Sequence, residues 1–223
     1  MVDLKKELPE VFNDFAESRQ NAFLKVKEIK DKDIPVIGIF CTFFPQELAV
    51  AAGATCVSLC ATSDETIQDA ERDLPKNLCP LIKSSYGFAL TDKCPFFYFS
   101  DLVVGETTCD GKKKMYEYLG EFKPVHVMEL PNKNTEQGLI LWKEEIRKMI
   151  KTIEDLFGVE ITDEKLKHAI QVKNAERSAV KDFYSIMKAD DLPITGGELW
   201  HVLNGVQFDF DKEQIPQMLE ELK

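Results

Sequence analysis

The sequence has no run of about 18 apolar residues, the length a helix needs to cross a bilayer. Its opening residues, Met1-Val2-Asp3-Leu4-Lys5-Lys6-Glu7, lack the apolar centre of a secretory signal. These absences point to a cytoplasmic protein with no membrane segment, where thiols stay reduced. Basic residues are the minority, 28 against 39 acidic, for a net charge of −11. That argues against a nucleic-acid binder, which needs a basic face, and still allows a local basic pocket for an anion. Histidine is scarce: His126, His168 and His201 are not spaced for zinc, and each reads as structural. There is no Cys-x-x-Cys pair, so a zinc ribbon or a thioredoxin-type site is not expected, and the bacterial ferredoxin run is absent. There is no nucleophile elbow. The segment from Gly105 to Lys113 has five residues between its glycines and no hydroxyl after the lysine. A phosphate loop needs four and that hydroxyl, so this is not one.

Six cysteines stand out against these absences: Cys41, Cys56, Cys60, Cys79, Cys94 and Cys109. The last three are evenly spaced, and Cys79 and Cys94 each precede a proline. Cys56 sits in the apolar run Ala54-Thr55-Cys56-Val57 and reads as a small packed hydrophobe. The others have loop-like neighbours, a setting that suits soft-metal ligation, with iron–sulfur clusters foremost.

The 223 residues, 44% hydrophobic and 30% charged, suit a soluble chain of one large domain or two small ones. Apolar spacing predicts a helix over Leu8 to Lys30 and a buried strand over Ile34 to Phe40. A helix beginning at Pro45 and ended by Gly53 follows, then a strand over Thr55 to Leu59. Helices are expected from Ser63 to Asp73 and from Leu78 to Phe88, with Gly87 near the end of the second. The aromatic, β-branched run Phe96 to Val104 reads as a strand, Lys112 to Leu119 as a helix and Val125 to Leu130 as a strand. This alternation predicts an α/β, Rossmann-like parallel sheet domain over residues 1–133. Residues 134–223 read as a helical segment: long helices over Thr135 to Phe157 and Asp163 to Met187, and short ones near Glu198 to Leu203 and Lys212 to Leu222.

Ligands of an open α/β sheet bind beyond the carboxyl ends of its strands. Cys41, Cys60 and Cys109 follow three predicted strands, and Cys79 starts a predicted helix. Spacing alone leaves two readings open: thiols gathered at one sheet edge around a metal or cluster, or thiols that are simply buried or reactive. Asp110-Gly111-Lys112-Lys113-Lys114 opens a helix whose unpaired N–H groups and lysines would favour an anion. The alternative is a solvated basic turn. Glu47 and Glu106 are the carboxylates nearest the cysteines, each a candidate general base or an ordinary cap or loop residue. Lys83-Ser84-Ser85-Tyr86-Gly87 either orients a ligand or ends a helix.

Several longer strings occur in order: Phe44-Pro45-Gln46-Glu47-Leu48 with Ala51-Ala52-Gly53, Asp73-Leu74-Pro75, Leu78-Cys79-Pro80-Leu81-Ile82-Lys83, and Glu106-Thr107-Thr108-Cys109-Asp110-Gly111-Lys112-Lys113-Lys114-Met115. With them the chain resembles the 2-hydroxyacyl-CoA dehydratase family, which includes benzoyl-CoA reductase subunits and double-cubane cluster proteins. Cysteines at 41, 60 and 94 make it most similar to the double-cubane branch. The resemblance implies an anaerobic iron–sulfur subunit of Rossmann-like domains. Cys79 and Cys109 match two ligands of a 4Fe-4S cluster, and Cys41, Cys60 and Cys94 are the further candidates for a double-cubane set. It also implies an ATP-dependent activator, itself an iron–sulfur protein, that supplies low-potential electrons. The reaction is then dehydration of an acyl-CoA through a ketyl radical, or reduction of a small molecule. Relatives of this kind run to nearly twice this length, and no cysteine follows Cys109. The expectation is an N-terminal half, a truncated form or one part of a split subunit, needing a dimer partner or second-half subunit. The competing reading is a non-catalytic α/β remnant or partner-binding module without a cluster.

Overall fold

The computed structural model describes residues 10–61 and 63–222. Its contacts divide into two units. One runs from Lys27 to Leu166; the other joins the described residues up to Val26 with those from Lys167 onward.

The first unit is built on a sheet of β1 (Val36–Ile39), β2 (Thr55–Ser58), β3 (Leu102–Glu106) and β4 (Val125–Met128), in the order β2-β1-β3-β4. Every pairing is parallel, with Ile37 opposite both Cys56 and Leu102, and Val103 opposite Val125. The expected α/β parallel sheet is therefore present. Its two central strands, Val-Ile-Gly-Ile and Leu-Val-Val-Gly-Glu, are buried at every position. That is why they read as continuous apolar runs instead of alternating ones. Ahead of β1, Lys30 at the end of α1 (Glu10–Asp31) holds Asp101 at 2.8 Å, and the same carboxylate accepts from the Val36 N–H.

The connections are α2 (Glu47–Ala51), α3 (Ile67–Ala70), α4 (Pro80–Leu90), α5 (Pro95–Phe99) and α6 (Asp110–Leu119). α7 (Glu136–Phe157) packs on β4. Thr135 caps α7, its hydroxyl accepting from the Gly138 N–H, and Gly158 closes it at φ +66°. The helix expected from Leu8 begins within the described residues at Glu10; Leu8 and Pro9 lie outside them.

Two local expectations are corrected. Phe96 to Val104 is not one strand: Pro95–Phe99 is a helical turn and only Leu102–Glu106 is extended. Aromatic composition suggested a strand, but local capping wins. The Cys94 sulfur accepts from the Phe97 N–H at 3.3 Å, Pro95 presets the first helical φ, and the Ser100 hydroxyl donates back to the Phe96 carbonyl. The acidic helix from Ser63 shrinks to Ile67–Ala70. Gly87 does lie near the end of α4, in its last turn, where a Cβ would stand 2.1 Å from the Thr66 carbonyl oxygen. Only glycine permits that approach.

The second unit contains most of α8 (Asp163–Tyr184), which a 3-10 turn at Ser185–Lys188 follows, then α9 (Gly196–Phe208) and α10 (Ile215–Glu220). Its core is Phe183, Ile194, Leu199, Val202, Val206, Ile215 and Leu219. Thr195 and Glu198 form a reciprocal capping box at the start of α9. Asp209 pairs with Lys25 at 3.5 Å.

Candidate functional site

Chain order reverses around β1: it leads to β2 on one side and pairs with β3 on the other. The crevice beyond the carboxyl ends of β1 and β3 is therefore the switch point where such sheets bind ligands. Cys41 leaves β1 with φ +60°, a left-handed conformation rare for a residue with a Cβ. Its sulfur meets the Lys112 ammonium of α6 at 2.5 Å and the Thr108 hydroxyl at 3.7 Å. Lys112 is only 6% exposed. Burial pushes its pKa down, but the bond to the Cys41 sulfur, with Cys60 and Glu106 nearby, outweighs that and holds it above the ordinary lysine range.

Glu106, the last residue of β3, is 0% exposed. One carboxyl oxygen accepts from the N–H groups of Phe43 at 3.2 Å and Phe44 at 3.0 Å. The other oxygen is buried and has no partner among the described residues. Burial pushes the carboxyl pKa up; the two amides and Lys112 offset this only in part. The Tyr116 hydroxyl accepts from the Glu106 N–H at 3.4 Å, and its ring covers Gly105, where a Cβ would come within 2.4 Å of it. Burial pushes the Tyr116 hydroxyl well above its usual range. Lys112 and Tyr116 are four residues apart on one helix, so one face of α6 supplies both.

The cysteines divide by setting, and no disulfide joins any of them among the described residues. Cys79 and Cys109 are exposed, and each is the N-cap of a helix, α4 and α6, with its sulfur making no cap bond. The first turns of these helices are neighbours: a Cβ on Gly111 would meet Leu78 and Ile82 side-chain carbons at 2.8 Å. Cys60 follows β2 and is half-buried. Cys94 is spent on the cap of α5, and burial pushes its thiol up. Cys56 lies within β2, half-buried and in register with Ile37.

Among the described residues no three Cys, His, Asp or Glu side chains are grouped as a metal ion would require. The fit to an iron–sulfur cluster is thus partial. Exposed sulfurs above helix N-termini are the right donors, since amides there favour a negatively charged cluster. Two such sulfurs are fewer than a cubane needs.

The polar stretch on α4 is absorbed by structure. Lys83 donates to Glu71 and to the Lys76 carbonyl, each at 2.7 Å. Ser84 reaches the Ser63 carbonyl, Ser85 accepts from the Ala61 N–H, and Tyr86 donates to Asp73 at 2.9 Å. Two histidines have side-chain partners: His126 bonds Thr152 at 2.9 Å and His168 faces Glu213 at 3.2 Å. Glu47 opens α2. What the sequence reading missed is Tyr116 and the reach of Lys112 back to Cys41. The four-residue spacing of Lys112 and Tyr116, beneath a strand ending Gly105-Glu106, was the available signal.

The sequence of this α/β chain, with thiols, a buried carboxyl and a buried lysine at the switch point, matches a known family. Residues 41–223 match the model of the 2-hydroxyglutaryl-CoA dehydratase D-component. The chain is 54% identical over 220 residues to "Putative dehydratase subunit YjiM" of Escherichia coli (strain K12), covering 98% of this chain and 57% of that one. It is 25% identical over 222 residues to the (R)-phenyllactyl-CoA dehydratase beta subunit of Clostridium sporogenes, covering 95% of this chain and 58% of that one. The chain therefore belongs to the dehydratase D-component family, and it spans a little over half the length of these two relatives.

Proposed function

We propose that this chain is an iron–sulfur-bearing part of a 2-hydroxyacyl-CoA dehydratase-like or double-cubane reductase system, working in an anaerobic cytoplasm. The observation that carries the reading is the pair Cys79 and Cys109: exposed cysteines at the N-cap positions of the adjoining helices α4 and α6, their sulfurs uncommitted to the cap. They would hold the cluster, which supplies one-electron chemistry when bound. Cys41, Cys60 and Cys94 are the further candidates, of which Cys41 would have to give up Lys112. Lys112 holds a positive charge at the crevice, and Glu106 fixes the Phe43–Phe44 backbone that forms its wall. An ATP-dependent activator would deliver the electron, an acyl-CoA or other small molecule would receive it, and a second-half subunit or dimer partner would supply the remaining thiolates.

Anaerobic reconstitution with iron and sulfide tests this. Bound iron, acid-labile sulfide and visible absorption are the expected result. A colourless protein without iron would remove the cluster from this chain.

A further inference from the structure

Beside the crevice lies a cavity of about 360 Å³, lined by Phe43, Leu130, Pro131, Leu139 and Trp142, with Lys133 and Asn134 on its polar side. We infer that this cavity is a binding site for a ring-sized, aromatic acyl chain whose polar end faces the thiol-bearing edge of the sheet.

Two walls of the cavity are fastened to consecutive residues at the β3 exit. The Phe43 N–H is held by Glu106, and the Leu130 N–H donates to the Thr107 hydroxyl at 2.9 Å. The third wall is the first turns of α7. A Cβ at Gly138 would stand 2.3 Å from the Lys133 carbonyl oxygen, so glycine there lets the 131–134 loop close on the helix. The site is thus preformed and tied to the crevice, as small-molecule sites usually are.

The lining selects the ligand. Phe43 is 52% and Leu139 53% exposed, apolar surface that a bound apolar group would remove from water. Phe43 and Trp142 offer two aromatic surfaces for a ring. The volume is at the low end for ligand pockets, roughly 300–1,000 Å³, which suits a ring with a short chain and not a nucleotide carrier. Among the described residues Lys133 is the one cation of the lining, and it is solvent-exposed, so a distal carboxylate would gain little from it. That disfavours dicarboxylic acyl chains. Naming the ligand as the substrate's acyl chain rests on the dehydratase reading; the binding does not.

Trp142 makes the test direct, because Trp200 is the only other tryptophan. In a Trp200→Phe background, Trp142 fluorescence is titrated with the N-acetylcysteamine thioester of 3-phenylpropionate, and separately with that of glutarate. The expected result is saturable quenching by the aryl thioester, at least tenfold weaker with the glutaryl one and at least tenfold weaker again in Leu139→Asp. Equal quenching by both thioesters, or indifference to Leu139→Asp in a folded variant, would overturn the site. Iron content is read on the same samples. Among the described residues no thiol lines the cavity, so iron-free protein that still binds the aryl thioester removes the cluster from this chain and leaves the pocket standing. Iron-loaded protein that does not bind it removes the pocket alone.

Discussion

Helices α4 and α6 begin alike and end in different chemistry. Each follows an exposed cysteine cap, and each carries a lysine about one turn in that is only 6% exposed. On α4, Lys83 is closed by a carboxylate and a carbonyl. On α6, Lys112 ends on the Cys41 sulfur, beside a buried carboxyl with one unpartnered oxygen. The local sequence pattern is shared; what each helix packs against is not. α4 meets the 61–76 segment, which brings Glu71 and Asp73. α6 lies over the exits of β1 and β3, which bring a thiol and Glu106. The first arrangement is a structural tie; the second keeps charge, proton and sulfur together at a crevice.

The largest expected effect separates these two settings at their glycines. Gly87→Ala drives a Cβ into the Thr66 backbone, which cannot swing away, and should cost about 3 kcal/mol by denaturant unfolding. Gly105→Ala meets a Tyr116 side chain that can shift, and should cost about 1–2 kcal/mol. Equal losses would contradict the view that α4 is the rigid tie.

Next comes Glu106→Ala, which leaves the Phe43 and Phe44 N–H groups without their acceptor and should cost about 2 kcal/mol. Glu106→Gln keeps an acceptor and should cost less. Tyr86→Phe removes one bond from the α4 tie, worth about 1 kcal/mol, and should leave iron binding unchanged.

The smallest effect is a pH dependence. The folded pKa of Glu106 lies above its unfolded value of about 4.3. Its contribution is fully present below that value and is lost as pH rises through the folded pKa. The stability of Glu106→Gln relative to the parent should therefore rise with pH over that window. A flat difference would show that the carboxyl is not held protonated.

Much of this was legible in the sequence. A continuous apolar run marked β1, and the helix expected over Thr135 to Phe157 is α7. The cysteine positions after the strands followed from the same alternation. Pro95–Phe99 was not legible as a helix, because its composition is that of a strand while the Cys94 sulfur cap, Pro95 and the Ser100 hydroxyl decide the fold. Nor was the difference between Lys83 and Lys112. It depends on contacts 12 and 71 residues away along the chain, which no local pattern encodes.

The central claim is that the exposed cap sulfurs, and not the thiols in general, hold the cluster. Iron and acid-labile sulfide per chain, measured after anaerobic reconstitution of Cys79→Ser, Cys109→Ser and Cys56→Ser, test it most directly. The account predicts a sharp loss of iron in the first two and the parent's content in the third. Equal iron in all three would contradict it.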